Sequence, residues 1–100
     1  NRTQLKGLHP LQGATVANLS PALLDELGIT SQHTGVIILE SQRGKVANRL
    51  GFKVGDIVLK INGNEIDKVS TLKKLVAHTK DSWKVLIKRG DDVLSLLVPG

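Results

Sequence analysis

Short blocks of apolar residues, separated by Gly and Pro residues, make up most of this chain. About five of these blocks are rich in β-branched or alternating apolar residues and have the length of ordinary strands. They are residues 13–18, 35–40, 56–61, 83–89 and 93–98. The last two are joined across Gly90-Asp91, a turn typical of hairpins. The pattern therefore predicts about five short strands, the last two of them paired.

Three helical segments are expected between these strands. The first begins at Ser20-Pro21, a capping residue followed by a first-turn Pro, and ends at Gly28. The second is the short segment 46–50. The clearest is 67–80, with Ser70 expected as its N-cap. Its apolar side is formed by residues at helical spacing, namely Val69, Leu72, Leu75, Val76 and Thr79.

This mixture of strands and short helices predicts an α+β domain whose strands form a small, partly open barrel or sandwich. A helix lying beside one strand would leave a groove between them. We expect residues 9–100 to form the domain. Residues 1–8 are expected to be a linker or tail, since they are polar and lead to His9-Pro10. Because the chain does not begin with Met, we expect it to be part of a longer protein.

Composition excludes several classes of protein. A chain of 100 residues suffices for one domain, and its core must be aliphatic because there is one Trp, one Phe and no Tyr. No apolar run approaches the roughly 20 residues of a membrane span, so membrane insertion is not expected. The absence of Cys excludes disulfides and thiol chemistry, and it suits an oxidising periplasm among other compartments.

The net charge of +5 raises the possibility of a nucleic-acid partner. The basic residues, however, are interleaved with acidic ones along the chain. There is also no set of aromatic residues on which bases would stack. We therefore expect a solvated surface of mixed charge and no nucleic-acid partner.

The histidines are the natural place to look for catalysis, and they are His9, His33 and His78. None accompanies a Gly-x-Ser-x-Gly nucleophile motif, and no His, Asp or Glu set has the spacing of a metal site. Each is expected to be exposed to solvent. The sequence thus predicts no catalytic residue, no metal and no cofactor.

The most informative stretch is residues 50–63, Leu-Gly-Phe-Lys-Val-Gly-Asp-Ile-Val-Leu-Lys-Ile-Asn-Gly. Gly51 can end a helical turn, the Asp56 carboxylate can accept backbone N–H bonds in a Gly-Asp turn, and Asn62-Gly63 is a strong turn signal. This order resembles the PDZ hallmark, Gly-Leu-x-x-Gly-Asp-x-Ile-Leu-x-Val-Asn-Gly. The resemblance covers about residues 9–98, and it implies a module that binds peptides rather than an enzyme.

Residues 9–22, His-Pro-Leu-Gln-Gly-Ala-Thr-Val-Ala-Asn-Leu-Ser-Pro-Ala, narrow the resemblance. With a peptide-contacting strand first and a hairpin last, the chain is similar to the PDZ domains of bacterial HtrA (Do-like) serine proteases. This stretch most resembles the second, C-terminal PDZ domain of such proteases from alphaproteobacteria. The resemblance implies a periplasmic, homo-oligomeric parent protease whose catalytic domain lies outside this chain.

The resemblance also implies a binding site. In PDZ domains the loop before the first strand binds a ligand's C-terminal carboxylate through backbone N–H groups, and Leu11-Gln12-Gly13-Ala14 matches it. The residue pattern alone predicts only a plain loop there. The ligand would add as a strand to the edge formed by Ala14 to Asn18, with Ala14, Thr15 and Val16 as expected contact residues. Lys73 would lie on the rim of the groove, although it is equally explained as a solvated helix residue. The groove floor would be formed by Val16, Val69, Leu72 and Val76.

Two residues of the loop depart from the family pattern. Ala14 stands where a bulky aliphatic residue is usual and Gln12 is polar, so a weakened carboxylate site is expected. The variant Gly13→Val is expected to abolish binding while the domain stays folded.

The leading function is therefore a non-catalytic module that binds C-termini or extended segments of misfolded proteins. The alternative is an interaction domain that docks on sister domains of neighbouring subunits without capturing free peptide.

Overall fold

The computed structural model describes residues 2–7, 9–28, 34–78 and 81–99. Three helices lie in these ranges: α1 (Pro21–Leu27), α2 (Val46–Leu50) and α3 (Val69–Val76). None of these helices is long and apolar enough to cross a membrane. The strands are β1 (Thr3–Gln4), β2 (Ala14–Asn18), β3 (Val36–Ser41), β4 (Ile57–Ile61), β5 (Asn64–Glu65), β6 (Ser82–Arg89) and β7 (Asp92–Pro99).

The strands form one antiparallel sheet in the order β1-β2-β3-β4-β6-β7, and β5 pairs with β4 beside that path. Because β1 and β7 are its two ends, the sheet is not closed into a barrel. The prediction of an α+β, partly open fold with two or three short helices is confirmed. The pattern does not predict β1 and β5, since two residues are too few to show an alternation.

Apolar side chains pack on both faces of the sheet. Neighbouring strand residues alternate between two clusters, as the pleat of a strand requires. Ala17, Ile37 and Ile57 form the smaller cluster, against which Leu23 of α1 packs. The larger cluster carries residues of α2 and α3. Its fully buried members include Phe52, Leu11, Ile38, Ile61, Leu72 and Ile87.

The first helix begins where the sequence predicts, and the third does not. The Ser20 side chain accepts the N–H of Leu23 and so caps α1. For α3, Ser70 as N-cap is wrong: the N-cap position is Lys68, whose side chain makes no capping bond. The acceptor comes from the end of β2 instead, where Asn18 Oδ1 takes the Val69 N–H at 2.6 Å. A side chain distant in sequence thus fixes the start of α3.

Asp56 joins the turn before β4 to the end of β6. It is 1% exposed, and its carboxylate accepts the N–H of Lys53 at 2.9 Å, as the turn chemistry predicts. Arg89 donates to both carboxylate oxygens, from Nε at 2.8 Å and from a terminal guanidinium nitrogen at 2.7 Å. The guanidinium also donates to the carbonyl of Gly51 at 3.0 Å. The bonds of the Arg89 guanidinium thus tie the hallmark stretch to the closing hairpin.

Candidate functional site

The candidate site, called the groove here, is the region between β2 and α3, where β1 pairs with β2 and residues 4–7 line a cavity together with α3. Val16 of β2 and Leu72 of α3 are fully buried, while Val69 and Val76 retain 7% and 9% exposure. All four belong to the larger apolar cluster, so the residues predicted to form the groove floor do come together. The bond from Asn18 to the start of α3 joins the two walls at one end.

The loop of residues 11–14 leads into β2 at the other end of the groove. The carbonyl groups of Gln12 and Gly13 accept the N–H groups of Ala47 and Gln42 at 3.0 and 3.1 Å. These bonds hold the loop against the start of α2. Gly13 has φ of +89°, a conformation that a residue without a side chain adopts at little cost. The glycine of the predicted motif is therefore required by the backbone itself.

Each N–H group of this loop has an acceptor within the chain. The N–H groups of Leu11 and Gln12 donate to Nδ1 and the carbonyl of His9, both at 3.2 Å. The Gly13 N–H donates to the Leu5 carbonyl at 3.0 Å, and the next residue donates to the Leu11 carbonyl at 3.1 Å. A ligand carboxylate would have to displace one of these acceptors. The role of the loop in binding stays a prediction.

The segment expected to be a linker or tail contributes to the sheet and to the core. β1 lies antiparallel to β2, with Thr3 opposite Val16 and Gln4 opposite Thr15. Leu5 follows β1, is 3% exposed and packs in the same cluster as the groove floor. Thr3, Gln4 and Leu5 are therefore not a free tail, whereas the domain boundary at residue 9 stays a prediction.

His9 is buried at 6% exposure, so the expectation that it is exposed is wrong. Its Nδ1 accepts the Leu11 N–H, and its Nε2 lies 2.7 Å from the Lys6 carbonyl oxygen. Since Nδ1 accepts, the neutral ring carries its proton on Nε2 and donates to Lys6. Burial lowers the pKa of His9 below its ordinary value, and the Lys6 carbonyl opposes that shift. His78 is exposed as expected, and His33 lies outside the described residues.

Acid is expected to destabilise the domain through His9. The folded pKa lies below the unfolded value of 6.5, so the unfolded chain binds the proton more readily. The stabilisation is present above that value and is lost as pH falls towards the folded pKa. Urea unfolding at a series of pH values below 6.5 should show that the free energy of unfolding of the unmodified chain falls with pH. The slope of this free energy against pH should flatten in His9→Gln and persist in the control His78→Gln. An unchanged slope in His9→Gln would exclude His9 as its source.

Lys73 of α3 is exposed to solvent. Together with Val76, Ala77 and residues 4–7 it lines a cavity of about 520 Å³ between α3 and the N-terminal segment. The neighbouring Lys74 is also exposed, but it is not among the described residues that line this cavity. Lys73 thus lines this cavity, and both its place on the rim of a ligand groove and its effect on a ligand stay predictions.

The sequence pattern missed three residues that shape this site: Leu5, His9 and Asn18. The available signals were weak, because a lone Leu in a polar segment and an Asn at a strand end are common features. Within the ranges that the structure describes, no group of three or more His, Asp or Glu side chains is placed to hold a metal ion.

Comparison with known sequences agrees with this geometry. Residues 10–99 match the PDZ domain family. A probable periplasmic serine endoprotease, DegP-like, from Chlamydia pneumoniae is 26% identical over 93 residues. The matched region covers 91% of this chain but only 19% of that protein, so the chain spans about a fifth of the curated relative's length.

Two solved structures share the fold. The HtrA3 PDZ domain bound to a phage-derived ligand aligns with a TM-score of 0.75 at 24% identity, over 99% of this chain and 84% of that one. The HtrA-type protease AlgW with a decapeptide aligns with a TM-score of 0.76 at 25% identity, over 87% of this chain and 27% of that one. Since the family match extends over nearly the whole chain, the chain belongs to the PDZ domain family, in the type found in HtrA serine proteases.

Proposed function

We propose that this domain binds extended peptide segments by strand addition in the groove between β2 and α3. The observation that carries the proposal is the groove itself. Apolar side chains of β2 and α3 form its floor, one wall is the strand β2, and the loop at its end contains Gly13 at a positive φ. Main-chain pairing would supply affinity, and the apolar floor would select side chains.

Two neighbours in fold support this reading, since one is an HtrA PDZ domain with a phage-derived ligand and the other an HtrA protease with a decapeptide. The ligands proposed for this chain are C-termini or extended segments of misfolded proteins. The parent is proposed to be a periplasmic serine endoprotease like the named relatives, with its catalytic residues outside this chain. The domain would then recognise substrates without cleaving them.

Binding of a C-terminus is tested with the pentapeptide Phe-Gly-Arg-Trp-Val, the ligand of the HtrA3 PDZ domain, as probe. Titration followed by backbone amide resonances should perturb β2, α3 and Gly13. An amidated copy should bind about tenfold or more weakly, because each N–H bond to a charged carboxylate contributes about 1.5–3 kcal/mol. Equal affinities would exclude carboxylate recognition and leave binding of internal segments.

Lys73 is expected to favour an acidic residue two positions before the end of the peptide. The gain should be small, about 0.2–1 kcal/mol, because a pair at the exposed rim is screened by solvent. The variant Lys73→Glu should reverse the preference towards a basic residue, whereas Lys74→Glu should not. If both variants act alike, only net charge matters, and the placement of Lys73 beside the ligand loses its support.

A second candidate function is docking within the parent oligomer. β7 is the outer strand at the end of the sheet opposite β1. Two of its large apolar residues, Val93 and Leu97, are 56% and 74% exposed. An apolar edge strand of this kind suits pairing with another chain. Absence of any peptide-induced shift in β2 or α3 in the titration would favour this alternative.

A further inference from the structure

The groove described above already contains an extended segment, and that segment belongs to the same chain. β1 runs antiparallel to β2 with Thr3 opposite Val16, so its direction carries the chain towards the loop at Gly13. The next residue, Leu5, forms two backbone bonds with the mouth of the groove. Its N–H donates to the Ala14 carbonyl at 2.8 Å, and its carbonyl accepts the Gly13 N–H at 3.0 Å.

The Leu5 side chain occupies the apolar floor. It is 3% exposed and lies in one cluster with Val69, Leu72 and Val76 of α3. Strand pairing, a buried aliphatic side chain and an acceptor for the loop N–H are the three interactions that strand addition requires of a ligand. This segment supplies all three, with the Leu5 carbonyl in place of a terminal carboxylate.

The chain then leaves the groove by a sharp change of direction. Gly7 has φ of +103°, and the carbonyl of Lys6 accepts the bond from the buried ring of His9. No chain end is needed at this position, because the backbone continues past Leu5. The groove in this conformation therefore accommodates an internal segment.

We propose that residues 3–6 are a built-in ligand of this groove and that an external peptide binds by displacing them. This inference rests on the proposed function, and it specifies the ligand: an extended segment with an aliphatic residue in the place of Leu5, with or without a free C-terminus. It also specifies the regulation, because the apparent affinity equals the intrinsic affinity multiplied by the fraction of molecules whose groove is open.

The built-in ligand is held in a way that permits displacement. Its strand pairs over two residues only, and Gln4 and Lys6 are exposed. Short exposed elements of this kind open locally without unfolding of the core. A cavity of about 520 Å³ lies beside it, lined by residues 4–7 on one side and by Lys73, Val76 and Ala77 of the α3 region on the other.

A reversible disulfide between β1 and β2 tests the proposal in the full chain. Because the sequence contains no Cys, the double variant Gln4→Cys/Thr15→Cys places the two thiols on directly opposite residues of β1 and β2. Opposite residues of antiparallel strands are about 4.5–5.5 Å apart between Cα atoms, within the range of a disulfide. The oxidised form should bind the probe pentapeptide at least about tenfold more weakly than the reduced form of the same molecule.

A second variant releases the segment. Leu5→Asp removes the side chain from the apolar floor and should strengthen probe binding about tenfold or more. Val54→Asp makes the same chemical change at a position that is 64% exposed, in the turn before β4, and should leave affinity unchanged. Hydrogen exchange at the Gly13 amide, measured without peptide, should speed up in Leu5→Asp and not in Val54→Asp.

The outcomes separate this inference from the proposed function. Equal probe affinity in the oxidised and reduced forms would overturn the inference while peptide binding stands, since the probe would then bind without displacement of residues 3–6. A weaker oxidised form combined with unchanged affinity in Leu5→Asp would also overturn it, because the groove would already be open. Faster exchange at Gly13 with no probe binding in any form would support the built-in ligand and overturn the proposed function.

Discussion

Replacement of Asp56 by Ala is expected to lower the free energy of unfolding by about 1.5–3 kcal/mol, the contribution of hydrogen bonds to a charged group, because solvent reaches the Arg89 guanidinium that is left behind. The carboxylate is almost fully buried and bonds both the Lys53 N–H and the Arg89 guanidinium. Its loss leaves the guanidinium, whose side chain is 36% exposed, without its carboxylate partner beside the core. Urea denaturation of the parent and variant chains measures the difference.

Two further variants identify the source of this loss. Asp91→Ala removes an exposed carboxylate from the hairpin between β6 and β7 and should change stability by less than about 0.5 kcal/mol. The double variant Asp56→Ala/Arg89→Ala should lose less than the two single variants added together, because the pair is coupled. Strict additivity would show that the ion pair is not what stabilises the turn.

The variant Gly13→Ala is expected to destabilise the domain by about 2–5 kcal/mol. Part of this cost is the positive φ, about 1–3 kcal/mol for a residue with a side chain. The rest is steric, since the new Cβ would overlap Lys45 Cβ and lie 2.8 Å from Lys45 Cγ. These atoms are next to the Lys45 backbone and cannot swing away. The expectation that Gly13→Val leaves the domain folded is therefore withdrawn, because a larger side chain meets the same obstacle.

Gly63→Ala is the matched control for this prediction. Its φ of +83° is close to that of Gly13, but a Cβ there would meet no atom within 4 Å among the described residues. It should cost only the backbone part, about 1–3 kcal/mol. Thermal or urea unfolding of both variants gives the comparison. Equal losses of unfolding free energy would mean that the Lys45 side chain moves aside at little cost. Glycine would then be required at position 13 only for its positive φ.

The local features of this chain follow from neighbouring residues and were predicted from them. The apolar runs at β3, β4, β6 and β7, the capped start of α1 at Ser20 and the glycine that ends α2 all depend on contacts within a few residues. The hallmark stretch likewise indicates its own turns, and through them the family. Periodicity and turn chemistry are local properties, so the fold class was accessible without the structure, whereas the groove residues were expected only from the resemblance to PDZ domains.

What fills and holds the groove depends on contacts between residues far apart in the chain. Nothing in Thr3-Gln4-Leu5 marks a strand, and it becomes one because β2 offers an unpaired edge and α3 an apolar surface. The cap of α3 by Asn18 and the burial of His9 arise in the same way, from partners that only folding brings near. The pattern of residues along the chain does not indicate which distant residues pair. The position of residues 3–6 in the groove therefore follows only from the tertiary structure.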